Sequence, residues 1–304
     1  MTRRFASLAL VALLASCTSK PASPDGAAGA EPAAKPARAA AVTIKGSDTM
    51  ILLAQRLAER FMQEHDGHPV QVTGGGSGTG IAALINGTTD IANASRAMKP
   101  AEKAQVQERR GKPAVEHAIA LDGIAVYVHE SNAVPTLTLA QLKAIYEGQV
   151  KNWKEVGGAD ARVVLYGREN NSGTYAYFKE HVLADEDFAA DTQTLPGTAA
   201  VVNAVSKDTG AIGYGGIAFG KGIRAVPVKK DDASEAVEPS LENVTNGTYP
   251  ISRQLFMYTA GEATGDAKAF LDFALSDAGQ SLATAAGYYP LPKKAADAPA
   301  NAAQ

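Results

Sequence analysis

The stretch GRENNSGTYAYF, Gly167 to Phe178, sets Arg168 four residues ahead of Ser172, Gly173 and Thr174 at the mouth of a helix-like run. A guanidinium presents forked N–H donors that match an oxyanion. A helix start adds unpaired backbone N–H groups and a partial positive charge. Together they suit something small and anionic. Three further turns share this chemistry. GSDTM carries Ser47, Asp48 and Thr49, GGGSGTG carries Ser77, and NASR ends in Ser95 and Arg96. Each of these residues also makes a good helix cap, so one such turn needs no ligand to explain it. Several turns together with two arginines point to one shared site.

The elements that must position these turns read as alternating strands and helices. AVTIK is a short strand, and Leu53, Leu57 and Phe61 recur at i, i+4 in a helix that stops before Gly67. PVQVT repeats the plan, followed by a short helix with Ile81, Leu84 and Ile85 on one face and Gly87 as its stop. TDIANA is another strand, and AIALDGIAVYVH is the most apolar strand in the chain. TLAQ, Thr138 to Gln141, is a capping-box pattern opening a helix to Tyr146. ARVVLYG, GAIGYGGIAFG and SRQLFMYT read as later strands, and Lys268 to Ala285 reads as one closing amphipathic helix. Strands alternating with helices imply an α/β architecture with a largely parallel sheet. In such sheets ligands sit beyond the carboxyl ends of the strands, where the Ser/Gly/Thr turns fall.

The ends of the chain bear on location. Arg3 and Arg4 precede an apolar run from Phe5 to Ala15, too short to span a bilayer, which ends in LASC. That pattern predicts a leader over 1–16 and lipidation of Cys17, the one cysteine in the chain, so no intramolecular disulfide is possible. Residues 17–40 are mostly Ala, Pro, Gly and Ser and read as a tether, as does a tail over 294–304. The net charge of −3 becomes more negative once the two arginines leave with the leader. A mildly acidic protein lacks the basic footprint of a nucleic-acid binder, so an anion must be held by local groups.

Other chemistry fits poorly. The glycine run lacks the lysine of a nucleotide phosphate loop, and GYGGIA opens no helix. Ser77 fails the nucleophile-elbow pattern because Thr79 stands at its second glycine. His65 and His68 read as a surface pair without metal partners. No cofactor or metal is expected.

With the LASC, GSDTM, GGGSGTG, NASR and RENNSGT motifs in order, and NWKEVGG and GYYPL beyond them, the chain from Thr43 to Pro292 resembles the phosphate-binding lipoproteins. These are the substrate-binding components of the high-affinity phosphate ABC transporter. The resemblance implies a two-lobed periplasmic-binding-protein fold of type II, with mainly parallel sheets, flanking helices and two crossover hinges. It places lobe I at 41–126 and 219–293, and lobe II at 127–218. It further implies a non-enzymatic monomer that carries inorganic phosphate to permease subunits, tied to a membrane by its lipid. The residues carried over as phosphate ligands are Ser47, Thr49, Ser77, Ser95, Arg96, Arg168, Ser172, Gly173 and Thr174.

Some relatives carry, at the place of Arg96, an Asp that accepts the phosphate proton. Asp48, Asp122 and Glu169 are the substitutes that this sequence offers. Asp122 stands out because it interrupts an apolar strand, where a carboxylate is costly unless paired. It is expected to take the proton; a structural ion pair with Arg96 or Arg168 is the alternative. Three rival readings remain: a hydrolase of phosphate esters, a carrier of another oxyanion such as sulfate, and an adhesin or matrix protein that has kept the fold.

Overall fold

The computed structural model describes residues 40–292. The expected leader, Cys17, the expected tether up to residue 39 and the expected tail over 294–304 lie outside them.

The chain opens with β1 (Val42–Gly46), a single 3-10 turn at Asp48–Met50 and α1 (Ile51–Glu64). The helix buries the expected stripe, with Leu53, Leu57 and Phe61 fully covered. Next come β2 (Val70–Thr73), α2 (Ser77–Asn86), β3 (Ile91–Ala94) and α3 (Pro100–Arg110). Gly87 ends α2 with φ +72°, a left-handed position that a glycine adopts without strain. β4 (Ala114–Val128) is the long apolar strand, followed by β5 (Leu137–Thr138) and α4 (Leu139–Tyr146). The Thr138 hydroxyl caps α4 by accepting from Gln141 N at 3.1 Å, and the Gln141 side chain returns the bond.

β6 (Val164–Arg168), α5 (Gly173–His181), β7 (Gln193–Leu195), α6 (Gly197–Val205) and β8 (Ala211–Gly216) continue the alternation. Short β9 (Arg224–Val226), β10 (Val228–Lys229) and α7 (Leu241–Thr245) lead to β11 (Ser252–Ala260). The closing run is two helices, α8 (Gly265–Leu275) and α9 (Asp277–Ala285), where the sequence suggested one. Ser276 leaves helical geometry at ψ 164° and caps the second by accepting from Gly279 N.

The main sheet runs β2-β1-β3-β11-β4-β8-β6-β7, with β9 also on β4. Its two flanks are parallel: β1 pairs with β2 and β3, and β6 with β7 and β8. Its centre is antiparallel, because β11 and β4 run against their neighbours. β4 belongs to both flanks, pairing with β11 up to Gly123 and with β8 from Ile124 onward. The apolar interior is correspondingly divided. One core gathers Val42, Leu53, Phe61, Leu255 and Phe270; a second gathers Val126, Trp153, Phe178 and Tyr214. Residues 223–251, assigned to lobe I from the sequence, give Val226, Val228, Val244, Tyr249 and Ile251 to the second core. The chain therefore crosses between halves within β4 and again at Ile251–Ser252.

Close approach shapes the turn after β1. A Cβ on Gly46, at φ +143°, would lie 2.1 Å from Asn93 O. Only glycine lets this turn reach the end of β3, which brings Ser47 N to donate to Asn93 O at 2.9 Å.

Candidate functional site

Four strand ends deliver the polar turns to one place. Behind β1, Thr49 is buried and its hydroxyl meets that of Thr174 at 2.8 Å, although the two stand on opposite halves. Ser47 is buried in the same turn. At the start of α2, the fully buried Ser77 hydroxyl accepts from Ser95 N at 3.0 Å and lies 3.3 Å from the Ser95 hydroxyl. Gly173, at the first turn of α5, faces both serines: a Cβ there would fall 2.3 Å from Ser77 Oγ and 2.7 Å from Ser95 Oγ. Ser172 caps α5, accepting from Thr174 N and Tyr175 N. The capping role anticipated for it is thus real, and it coexists with a place in the cluster.

Arg168 ends β6 with its side chain almost wholly buried. It donates from Nη1 to Thr198 Oγ1 and from Nη2 to Asp48 Oδ2, each at 2.8 Å. Burial lowers its pKa, an effect offset by Asp48. Asp48 uses its second oxygen too, accepting from Gly75 N at 2.8 Å.

The structure separates one carried-over residue from the rest. Arg96 forks onto Glu102 at 2.7 and 2.8 Å and donates to Ala97 O, all on its own side of α3. No hydrogen bond joins it to the cluster. The Glu102 carboxyl feels an upward push from burial, yet the Arg96 fork and the Lys99 N–H bring its pKa below the ordinary value.

The second arginine of the cluster is Arg253 on β11, which the sequence reading missed. Its Nε and Nη2 donate to Asp122 Oδ2 at 3.0 and 2.8 Å, and its Nη1 donates to Ser95 O at 2.8 Å. Nη2 also reaches the Thr174 hydroxyl at 3.0 Å and the Thr49 hydroxyl at 3.4 Å. Asp122 is completely buried and lies directly opposite Arg253 in the β4–β11 register. It is therefore ion-paired, but with neither Arg96 nor Arg168. Burial raises its pKa against the lowering pull of Arg253. Its Oδ1 makes no hydrogen bond of good geometry, although the Ile217 backbone N–H is near enough to lower its pKa as well. Glu169, the remaining acid weighed from the sequence, is exposed.

The cluster thus holds two guanidiniums, two carboxylates and hydroxyls from at least four turns, with helix N-termini behind them. Donors predominate, which is what a small oxyanion requires. None of the four serines is hydrogen-bonded to a histidine. Among the described residues, no three His, Cys, Asp or Glu side chains come together as metal donors.

A family model described as a PBP superfamily domain matches residues 31–278, so the chain belongs to that superfamily. Within it, the chain belongs to the PstS family of phosphate-binding proteins. The phosphate-binding protein PstS of Bacillus subtilis is 35% identical over 277 residues, covering 90% of this chain and 86% of its own. PstS of Pseudomonas aeruginosa is 34% identical over 269 residues, 83% of each chain. Among solved structures, a putative phosphate ABC transporter substrate-binding protein with bound phosphate from Clostridium perfringens superposes with a TM-score of 0.76. It is 33% identical, and the match covers 83% of this chain and 100% of that one.

Proposed function

We propose that this protein binds inorganic phosphate between its two halves and hands it to the permease subunits of an ABC transporter. The observation that carries the reading is the buried donor cluster of Arg168, Arg253, Ser77, Ser95, Thr49 and Thr174, assembled from both halves at the ends of parallel strands and, for Arg253, at the start of antiparallel β11. Ser47, Ser172 and Gly173 complete the ligand set. Arg253 takes the role first expected of Arg96, whose guanidinium is engaged by Glu102. We place lobe I at 41–121 and 252–292 and lobe II between them, because residues 223–251 pack in the second core. The protein acts as a carrier rather than an enzyme, as a monomer, exported and held at a membrane through lipid on Cys17.

Asp122 supplies selectivity. Hydrogen phosphate brings a proton that sulfate lacks, and a buried acceptor left facing a bare oxyanion costs about 1–3 kcal/mol or more. Asp122 Oδ1 is such an acceptor, and Arg253 fixes the carboxylate through its other oxygen. Calorimetry against phosphate and sulfate at two pH values tests the reading. Tight phosphate binding with sulfate rejected supports it; sulfate bound as well as phosphate removes the selectivity argument, and binding of neither removes the function. Turnover of a chromogenic phosphate ester by the pure protein would restore the hydrolase reading.

A further inference from the structure

The GGGSGTG turn reads as a cradle for an anion, yet most of its backbone faces the protein rather than a ligand position. Gly78 N donates to Asn171 O at 2.9 Å, and Asn171 Nδ2 donates back to Gly75 O at 3.1 Å. A Cβ on Gly76 would lie 2.7 Å from Asn171 O, and one on Gly78 would lie 3.2 Å from it. The second half of the molecule therefore seats Asn171 directly on this glycine strip, and any side chain at Gly76 would hold the two apart. Asp48 reinforces the contact, binding Gly75 N on one oxygen and Arg168 across the interface on the other.

We infer that Asn171 is a positioning residue: with the glycine strip and Asp48 it forms a latch that holds the lobes closed and sets how long phosphate stays. The inference rests on the phosphate-carrier reading above. Asn171 belongs to the turn between Arg168 and Ser172, so seating it on lobe I also brings Gly173 against Ser77 and Ser95. The latch bonds join the halves only when the cleft is shut. Phosphate enters the open form before they exist, so capture should not depend on them, whereas release requires breaking them.

Stopped-flow measurement of phosphate association and dissociation, on the parent and on Asn171→Ala and Gly78→Leu, tests this. Asn171→Ala deletes the inter-lobe bond to Gly75 O and the longer one to Thr79 Oγ1, at 3.5 Å, and should speed release about three- to tenfold with association unchanged. Gly78→Leu places a bulky group against the Asn171 backbone and should speed release more than tenfold. Because leucine is the better helix former, it should not lower the melting temperature without phosphate. Parent-like dissociation rates in both variants, with phosphate still bound by the parent, overturn the latch alone. Slower association at an unchanged dissociation rate also overturns it, since the turn would then act in capture. A parent that binds no phosphate overturns the functional reading and the latch together.

Discussion

At the scale of single residues, the clustered residues were legible wherever they stand in a turn. Ser47, Thr49, Ser77, Ser95, Arg168 and the Ser172–Thr174 triplet stand in small-residue turns that open helices, a pattern that local sequence can carry. Arg253 stands in no such turn. It is the first inward residue of an apolar strand, in phase with buried Leu255 and Met257, and its meaning depends on a partner far away in the chain. The trace it left was a charged residue beginning one apolar strand while Asp122 interrupted another. Arg96 misled for the opposite reason: its turn position was right, but Glu102 on the next helix claims its guanidinium. Two measurements follow. Arg168→Ala should weaken phosphate binding about tenfold to a hundredfold, the worth of a charge-assisted bond, while Ser172→Ala costs less than tenfold. Equal and trivial losses in calorimetry would reduce the turn to a helix cap. Asp122→Asn should lower unfolding free energy by about 3–5 kcal/mol in denaturant titration, because it strands Arg253 as a buried, unpaired charge. An unchanged midpoint would mean that the pair contributes nothing to folding.

At the scale of elements, periodicity located the strands and helices well, since each buries one face on a neighbour. The parallel flanks followed from alternation, whereas the antiparallel centre did not, because pairing direction is set by connections that no local pattern encodes. The last helix was read as one because its apolar stripe continues across Ser276; the Ser-Asp pair there, a cap signature, was the signal for the break. β4 also carries a titratable group that couples this sheet to pH. His117 is partly buried beside Thr259, its Nε2 lying 3.2 Å from that hydroxyl. Burial pushes its pKa below 6.5, while Glu262 and Asp272 pull it back up. Below pH 6.5 the unfolded chain then binds more protons than the folded one, so stability falls as pH drops through the window between 6.5 and the lower folded value. Above that window the contribution is fully present. Melting curves from pH 7 to pH 5 should show this loss, and His117→Gln should flatten it. An identical slope in the variant would assign the acid sensitivity to other groups.

At the scale of the whole molecule, the two larger apolar clusters share one sheet; the chain passes from one to the other within β4 and at Ile251–Ser252, and Tyr289 reaches back into the second. Both crossings lie beside Asp122 and Arg253, so one of the two arginines of the cluster stands where the chain passes between the halves. Several contacts that bridge the halves are polar: Thr49 with Thr174, Arg168 with Asp48, and the Tyr177 hydroxyl donating to Ser252 O at 2.6 Å. Such contacts exchange readily with water, unlike apolar burial, which suits an interface that must open. A ligand that touches both halves adds its binding free energy to the folded, closed molecule alone. At a hundredfold excess over Kd this amounts to about 2.7 kcal/mol. For a chain of this size each kcal/mol raises Tm by roughly 2–4 °C, so phosphate should raise it by about 5–10 °C. The two cores should then melt in one transition, because the bound anion ties them together. Sulfate at the same concentration should leave Tm unchanged. Cys17→Ala should show the full phosphate shift while appearing in soluble fractions, since in the proposed reading Cys17 carries the lipid and takes no part in the site. Scanning calorimetry decides the matter: two separate transitions with phosphate moving one of them would mean that the anion is held by a single half, and the clamp would have to be abandoned.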